Sequence, residues 1–203
     1  MELDVELGPS LHAYTVLDVF TDTPLEGNQL AVFSDGSRFD ELAMQRIARE
    51  LNLSETVFVL APEQGGDARI RIFTPASELP FAGHPTLGSA ALVALASGRE
   101  RVELETGSGI VPVAIERTNG LAAFGRMLGI DEDPATGGAA GPLAVHLARH
   151  GLAGYGQELE IHQGAEVGRP SLLYARACGS GDQIERVEVA GWAVIVAKGT
   201  FRL

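Results

Sequence analysis

A single cysteine, Cys178, stands in a chain of 203 residues, so no internal disulfide and no cysteine-rich metal motif can form. Basic residues are scarce too: 15 Lys and Arg face 27 Asp and Glu, the formal net charge is −12, and no Lys/Arg cluster occurs. Nucleic acid is therefore not an expected partner, because phosphate binding needs basic surface. The longest uncharged apolar run is too short and too rich in small residues to span a bilayer, so no membrane segment is expected. Met1 to Pro9 are acidic, with neither a basic n-region nor an apolar h-region. They read as a loose tail rather than a signal peptide, and a cytoplasmic protein is expected. Also missing are a Gly-x-Ser-x-Gly elbow, a P-loop ending in Lys-Ser/Thr, and flavin or nicotinamide fingerprints. The histidines His12, His84, His146, His150 and His162 form no supported metal motif; His146 and His150 are four apart on a helix but lack an accompanying Glu motif. No metal and no cofactor are expected.

What is present is a globular composition, 45% hydrophobic and 21% charged, in a chain long enough for one large domain or two small ones. Its organising stretch runs from Glu78 to Ala96. Gly83 and His84 form a turn, Pro85 stands where a first helical residue belongs, and small or apolar residues follow with no charge before Arg99. A helix apolar on every side belongs inside a domain. Its N-terminus offers free N–H groups and a positive dipole end, with His84 at the mouth. Asp133 to Ala148 repeats this grammar, with Leu143, Ala144, Leu147 and Ala148 on one face. Two readings stay open: two related halves whose helix starts face each other, or two buried helices whose glycines only allow close approach.

Strands are expected at Tyr14–Phe20, Leu30–Phe33, Leu53–Leu60 and Ala68–Phe73, and a helix from Asp40 to Leu51, capped by Asp40 and stopped by Asn52. Arg101–Leu104 and Gly109–Ile115 form a hairpin. From Glu116 to Ile130 there is no clean period. Short strands at Leu159–His162, Ser171–Arg176, Arg186–Val189 and Ala193–Ala197 are separated by glycine turns. The class is α+β. Glu55 shares a strand face with Leu53, Val57 and Val59. A carboxylate aimed into an apolar layer keeps its proton to higher pH, as a proton-shuttling group needs. The competing reading is a strand-end glutamate, solvated or paired with Arg69 or Arg71. If the first holds, Glu55 carries the proton, His84 and Asp133 orient a small carboxylate substrate, and the helix starts hold its carboxylate.

Glu26-Gly-Asn28, Asn52–Thr56, Arg71–Pro75, Leu79–Pro85, Asp131–Gly137, Gly141–Ala144 and His162–Ser171 resemble, in that order, the PhzF family of phenazine biosynthesis. The similarity covers roughly Tyr14 to Leu203. It implies a diaminopimelate-epimerase-like fold of two pseudo-symmetric domains, each a curved sheet around a central helix with the site between them. On that pattern residues 1–11 are a tail, 12–116 the first domain, 117–197 a shortened second domain, and 198–203 a strand returning to the first. It further implies a cofactor-free, homodimeric isomerase of trans-2,3-dihydro-3-hydroxyanthranilate. Glu55 would move a proton from C3 of the ring to C1; Ser54, Gly83, His84, Asp133, Gly137 and Gly138 would bind the substrate.

Three departures stand out. Gln29 replaces a proline that the family has after Gly-Asn, and Gly138 replaces a serine, removing one donor worth roughly 0.5–1.5 kcal/mol if that bond is made. Several strands and a helix that the family carries between Ile115 and Met127 are replaced by a short stretch. The shortened second half leaves a second expectation beside the isomerase: a non-catalytic relative that binds a small carboxylate or a protein partner.

Overall fold

A computed structural model describes residues 11–117, 121–125 and 135–203. Its centre is helix α2, Gly83–Ser97, whose residues Gly83 to Ala91 are all buried. The helix starts at Gly83 rather than at Pro85, so Gly83 and His84 are its first turn and not a separate one. Pro85 loses nothing there, because the first four N–H groups of a helix have no intrahelical partner.

Eight strands surround α2: β1 (Leu11–Val19), β2 (Asn28–Phe33), β3 (Glu55–Leu60), β4 (Ala68–Phe73), β6 (Arg101–Thr106), β7 (Gly109–Arg117), β8 (Leu121–Gly125) and β11 (Gln183–Arg202). They pair in that order, and β11 pairs back onto β1, so the sheet closes into a ring. The helix touches every strand of the ring. The two-residue strand β5, Glu78–Leu79, pairs with β4 on the approach to α2. β9 (Glu158–Gln163) and β10 (Ser171–Ser180) extend the sheet from the first half of β11.

Alternation along β3 sorts side chains between two cores. Val57 and Val59 enter the cluster around α2, whereas Phe58 joins Phe33, Phe39, Met44, Ile47 and Phe73 beneath helix α1, Glu41–Leu51. Asp40 caps α1 by accepting from the Ala43 N–H at 2.8 Å, and Asn52 ends it in the left-handed region.

Two expectations are corrected in the second half. Arg186–Val189 and Ala193–Ala197 are not separate strands but parts of the 20-residue β11. Gly191 is not a turn; a Cβ there would lie 2.3 Å from the Phe20 ring, so the glycine makes room for that side chain. Helix α3, Gly137–Arg149, buries Gly137, Ala140, Gly141, Ala144 and Ala148 against β10 and β11 and is not apolar-buried all round. Leu143 is 41% exposed, outside the expected face, because the smallest residues take the close side. β8 lies where no period was legible, and among the described residues no helix is long and apolar enough to cross a membrane.

The β6 carboxylate Glu105 is buried beneath the loop that follows β3. It accepts from the N–H groups of Glu63 (2.7 Å), Gln64 (2.5 Å) and Gly66 (2.9 Å). Burial pushes its pKa up, but the three N–H groups and Arg69 outweigh it, and the net shift is below the ordinary 4.5. A carboxylate lowered in the folded state stabilises above its unfolded pKa, and that contribution disappears as pH falls through the lowered value. Glu105→Gln is therefore expected to be less stable than the parent at neutral pH. Below pH 4.5 the difference should shrink, as urea midpoints measured across pH will register.

Candidate active site

The first residues of β2 and β3 and the first turn of α2 meet at one end of the ring. β2 and β3 run parallel, with Leu30 opposite Glu55, so Asn28 and Ser54 lie at neighbouring strand starts. The Ser54 hydroxyl donates to Asn28 Oδ1 at 3.3 Å, and Asn28 Nδ2 lies 3.1 Å from His84 Nδ1. An amide nitrogen can only donate, so Nδ1 is the acceptor and the ring proton resides on Nε2. That nitrogen is 3.4 Å from Glu55 Oε2. Glu55 is 9% and His84 3% exposed, so the pair is shielded from bulk water but not sealed.

The arginines that offered Glu55 an alternative partner are engaged elsewhere. Arg69 pairs with Glu63 at 2.7 Å; Arg71 pairs with Glu78 at 2.6 Å and Glu41 at 2.9 Å. The fold thus brings Ser54, Glu55, Gly83 and His84 together, with the Glu55 carboxylate beside a positive helix end.

The second helix start is built differently. Gly137 is buried and Gly138 half-buried in the first turn of α3. The Thr136 N–H donates to Gln163 Oε1 at 3.0 Å, and Gln163 Nε2 donates back to Thr136 Oγ1 at 3.2 Å. A residue at the end of β9 thereby pins the entry to α3. α2 and α3 come within 8 Å between Cα atoms, and Ala135, Ala140 and Ala144 share one core with Leu87 and Ala90. Asp133 lies outside the described residues.

Asn28 and Gln163 were not singled out from sequence. Both fall inside the motifs quoted above, yet Asn28 read only as a turn residue and Gln163 lay just beyond the expected strand Leu159–His162. Nothing local signals that either amide reaches another element. Among the described residues, no group of three His, Cys, Asp or Glu side chains is placed to hold a metal ion.

A family model described as phenazine biosynthesis-like protein, PhzC-PhzF, matches residues 17–125 and 122–199. The chain belongs to that family. The trans-2,3-dihydro-3-hydroxyanthranilate isomerase of Pseudomonas aeruginosa is 39% identical over 274 residues, covering 93% of this PhzC-PhzF chain and 99% of its own. The isomerase of the same name from Pseudomonas chlororaphis is 38% identical over 278 residues, covering 95% and 100%. Among solved structures, a predicted epimerase of Pseudomonas aeruginosa superposes with a TM-score of 0.82 at 27% identity, covering 94% of this chain and 99% of its own. A Bacillus anthracis PhzF-family phenazine biosynthesis protein superposes with a TM-score of 0.84 at 18% identity, covering 96% and 100%. A hydroxyproline epimerase of Agrobacterium vitis, 10% identical with a TM-score of 0.66 over 96% and 92%, shares the fold alone.

Both isomerase alignments run longer than the 203 residues available here, and the family match falls into two pieces that meet at 122–125. The relatives therefore carry residues that this PhzC-PhzF chain lacks.

Proposed function

We propose that this member of an isomerase family shifts a proton on trans-2,3-dihydro-3-hydroxyanthranilate without a cofactor, and that Glu55 carries the proton. The carboxylate takes the hydrogen from C3. The electrons of that C–H bond move into the ring diene, and C1 receives the proton back from Glu55. One C–H bond breaks and one forms, with no net oxidation, and the enol product relaxes to an aminoketone. His84 stands beside this carboxylate, its Nε2 3.4 Å from Glu55 Oε2, and orients the substrate. The N–H groups at Gly83, Gly137 and Gly138 hold the substrate carboxylate, Asp133 orients the substrate, and Ser54, whose hydroxyl donates to Asn28 Oδ1, lines the site.

The observation that carries this reading is a buried carboxylate 3.4 Å from His84 Nε2 at the first turn of a helix buried from Gly83 to Ala91. Epimerases of this fold that use a pair of cysteines have no counterpart here, since Cys178 lies in β10 and neither helix start contains one. The test is turnover in deuterium oxide. Turnover with deuterium appearing at C1, or with direct return of the C3 hydrogen there, is expected.

The absent block favours a second reading, a non-catalytic relative that binds a small carboxylate or a protein partner. It predicts saturable binding of the same compound with no turnover at any enzyme concentration. The division into a first domain of 12–116 and a shortened second domain of 117–197 belongs to the same proposal.

A further inference from the structure

Between β1 and β2 the chain makes a tight loop from Phe20 to Gly27. Three of its residues are left-handed: Phe20 (φ 65°), Leu25 (φ 73°) and Gly27 (φ 64°). Two are not glycine, an arrangement that persists only where the surroundings dictate it. At Gly27 a Cβ would fall 2.4 Å from the Val19 carbonyl oxygen, so the loop cannot widen there.

Arg169, which follows β9 in the other half of the chain, holds this loop in place. Its Nη2 donates to Asp18 Oδ1 and to the Glu26 carbonyl, each at 2.6 Å, and its Nε donates to the Gly27 carbonyl at 2.6 Å. Asp18 in turn accepts from the Leu25 N–H at 2.7 Å, and the Gly27 N–H donates to the Pro170 carbonyl at 2.9 Å. Asp18 is fully buried. A buried ion pair is weak support for stability, since well-packed apolar residues serve as well; what it supplies here is position. The Gly27 carbonyl belongs to the peptide bond that leads into Asn28, the residue whose amide meets His84 Nδ1.

We propose that Arg169 is a positioning residue: by gripping Asp18 and the carbonyls of Glu26 and Gly27 it keeps the Asn28 amide on His84 Nδ1, and so keeps the imidazole proton on Nε2, the nitrogen 3.4 Å from Glu55 Oε2. The kinetic part rests on the isomerase reading above; the tautomer part does not.

The experiment uses the full chain labelled with ¹⁵N-histidine, free of ligand, at a pH where the ring is neutral. The His84 signal is assigned by its loss in His84→Asn. In the parent protein the Nε2–H tautomer is expected to dominate. In Arg169→Met the Nδ1–H form becomes comparably populated, and kcat falls about 10²-fold with KM within about twofold, as for a displaced catalytic group. Arg169→Lys is intermediate, because an ammonium reaches Asp18 but cannot fork onto both carbonyls. If Arg169→Met does not fold, Arg169→Lys and Asp18→Asn carry the same comparison. A folded variant with a lower melting temperature but an unchanged His84 tautomer overturns the proposal and leaves Arg169 a purely structural clamp. If the parent fails to turn over the substrate, the isomerase reading falls, while the tautomer spectra still decide the role of Arg169.

Discussion

Glu55→Gln is expected to lower kcat for trans-2,3-dihydro-3-hydroxyanthranilate by about 10³-fold while ligand affinity stays within about threefold. Glutamine has the shape of glutamate and fits the same place beside His84 Nε2, which lies 3.4 Å from the present carboxylate. The site should therefore assemble and bind. What glutamine cannot do is take and return a proton, and a thousandfold loss corresponds to about 4 kcal/mol of transition-state stabilisation. Steady-state kinetics and calorimetric titration with the substrate's ring carboxylate separate the two effects. A kcat within tenfold of the parent would remove Glu55 from the mechanism, and a large loss of affinity would make it a binding group instead.

Phe58→Ala should produce the largest loss of stability from a single truncation away from the site. Phe58 is fully buried and stacks on Phe33 with centroids 5.0 Å apart, and it meets Phe39 and Phe73 edge-on at 5.5 and 5.7 Å. Cutting such a ring to a methyl group costs about 3–5 kcal/mol, out of a total that is about 5–15 kcal/mol for a typical domain. For a chain of this size the melting temperature should fall by about 10 °C. Phe58 points toward α1, whereas Glu55 belongs to the opposite face of β3, so kcat at low temperature should survive in the folded fraction. A drop of less than about 2 °C would mean that the aromatic cluster collapses around the gap and does not anchor α1.

The legible parts of this molecule are those with local causes. Asp40 and Asn52 bound α1 in sequence because a cap and a left-handed stop act within one turn. The face of β3 that carries Glu55 follows from alternation, and the enclosed α2 from its lack of charge. What could not be read was set by partners far along the chain. Gly191 looks like a turn until Phe20 is placed against it. Leu143 looks like core until Ala140, Ala144 and Ala148 take the close contact with β10 and β11. Asp18 and Arg169 lie 151 residues apart, and neither carries a periodic trace of the other. Asn28 likewise shows its use only when α2 delivers His84 to it.

Closure of the strand ring also sets a timetable for the molecule's birth. β1 opens the ring and β11 shuts it, with Leu11 opposite Arg202. On the ribosome, seven staves and the apolar helix they enclose are synthesised before the last stave exists. Until β11 emerges, α2 has an unsealed barrel around it, so ring closure waits for that strand and is slow by virtue of its long loop. A nascent chain stalled before β11 should therefore be a client for chaperones that grip exposed apolar surface.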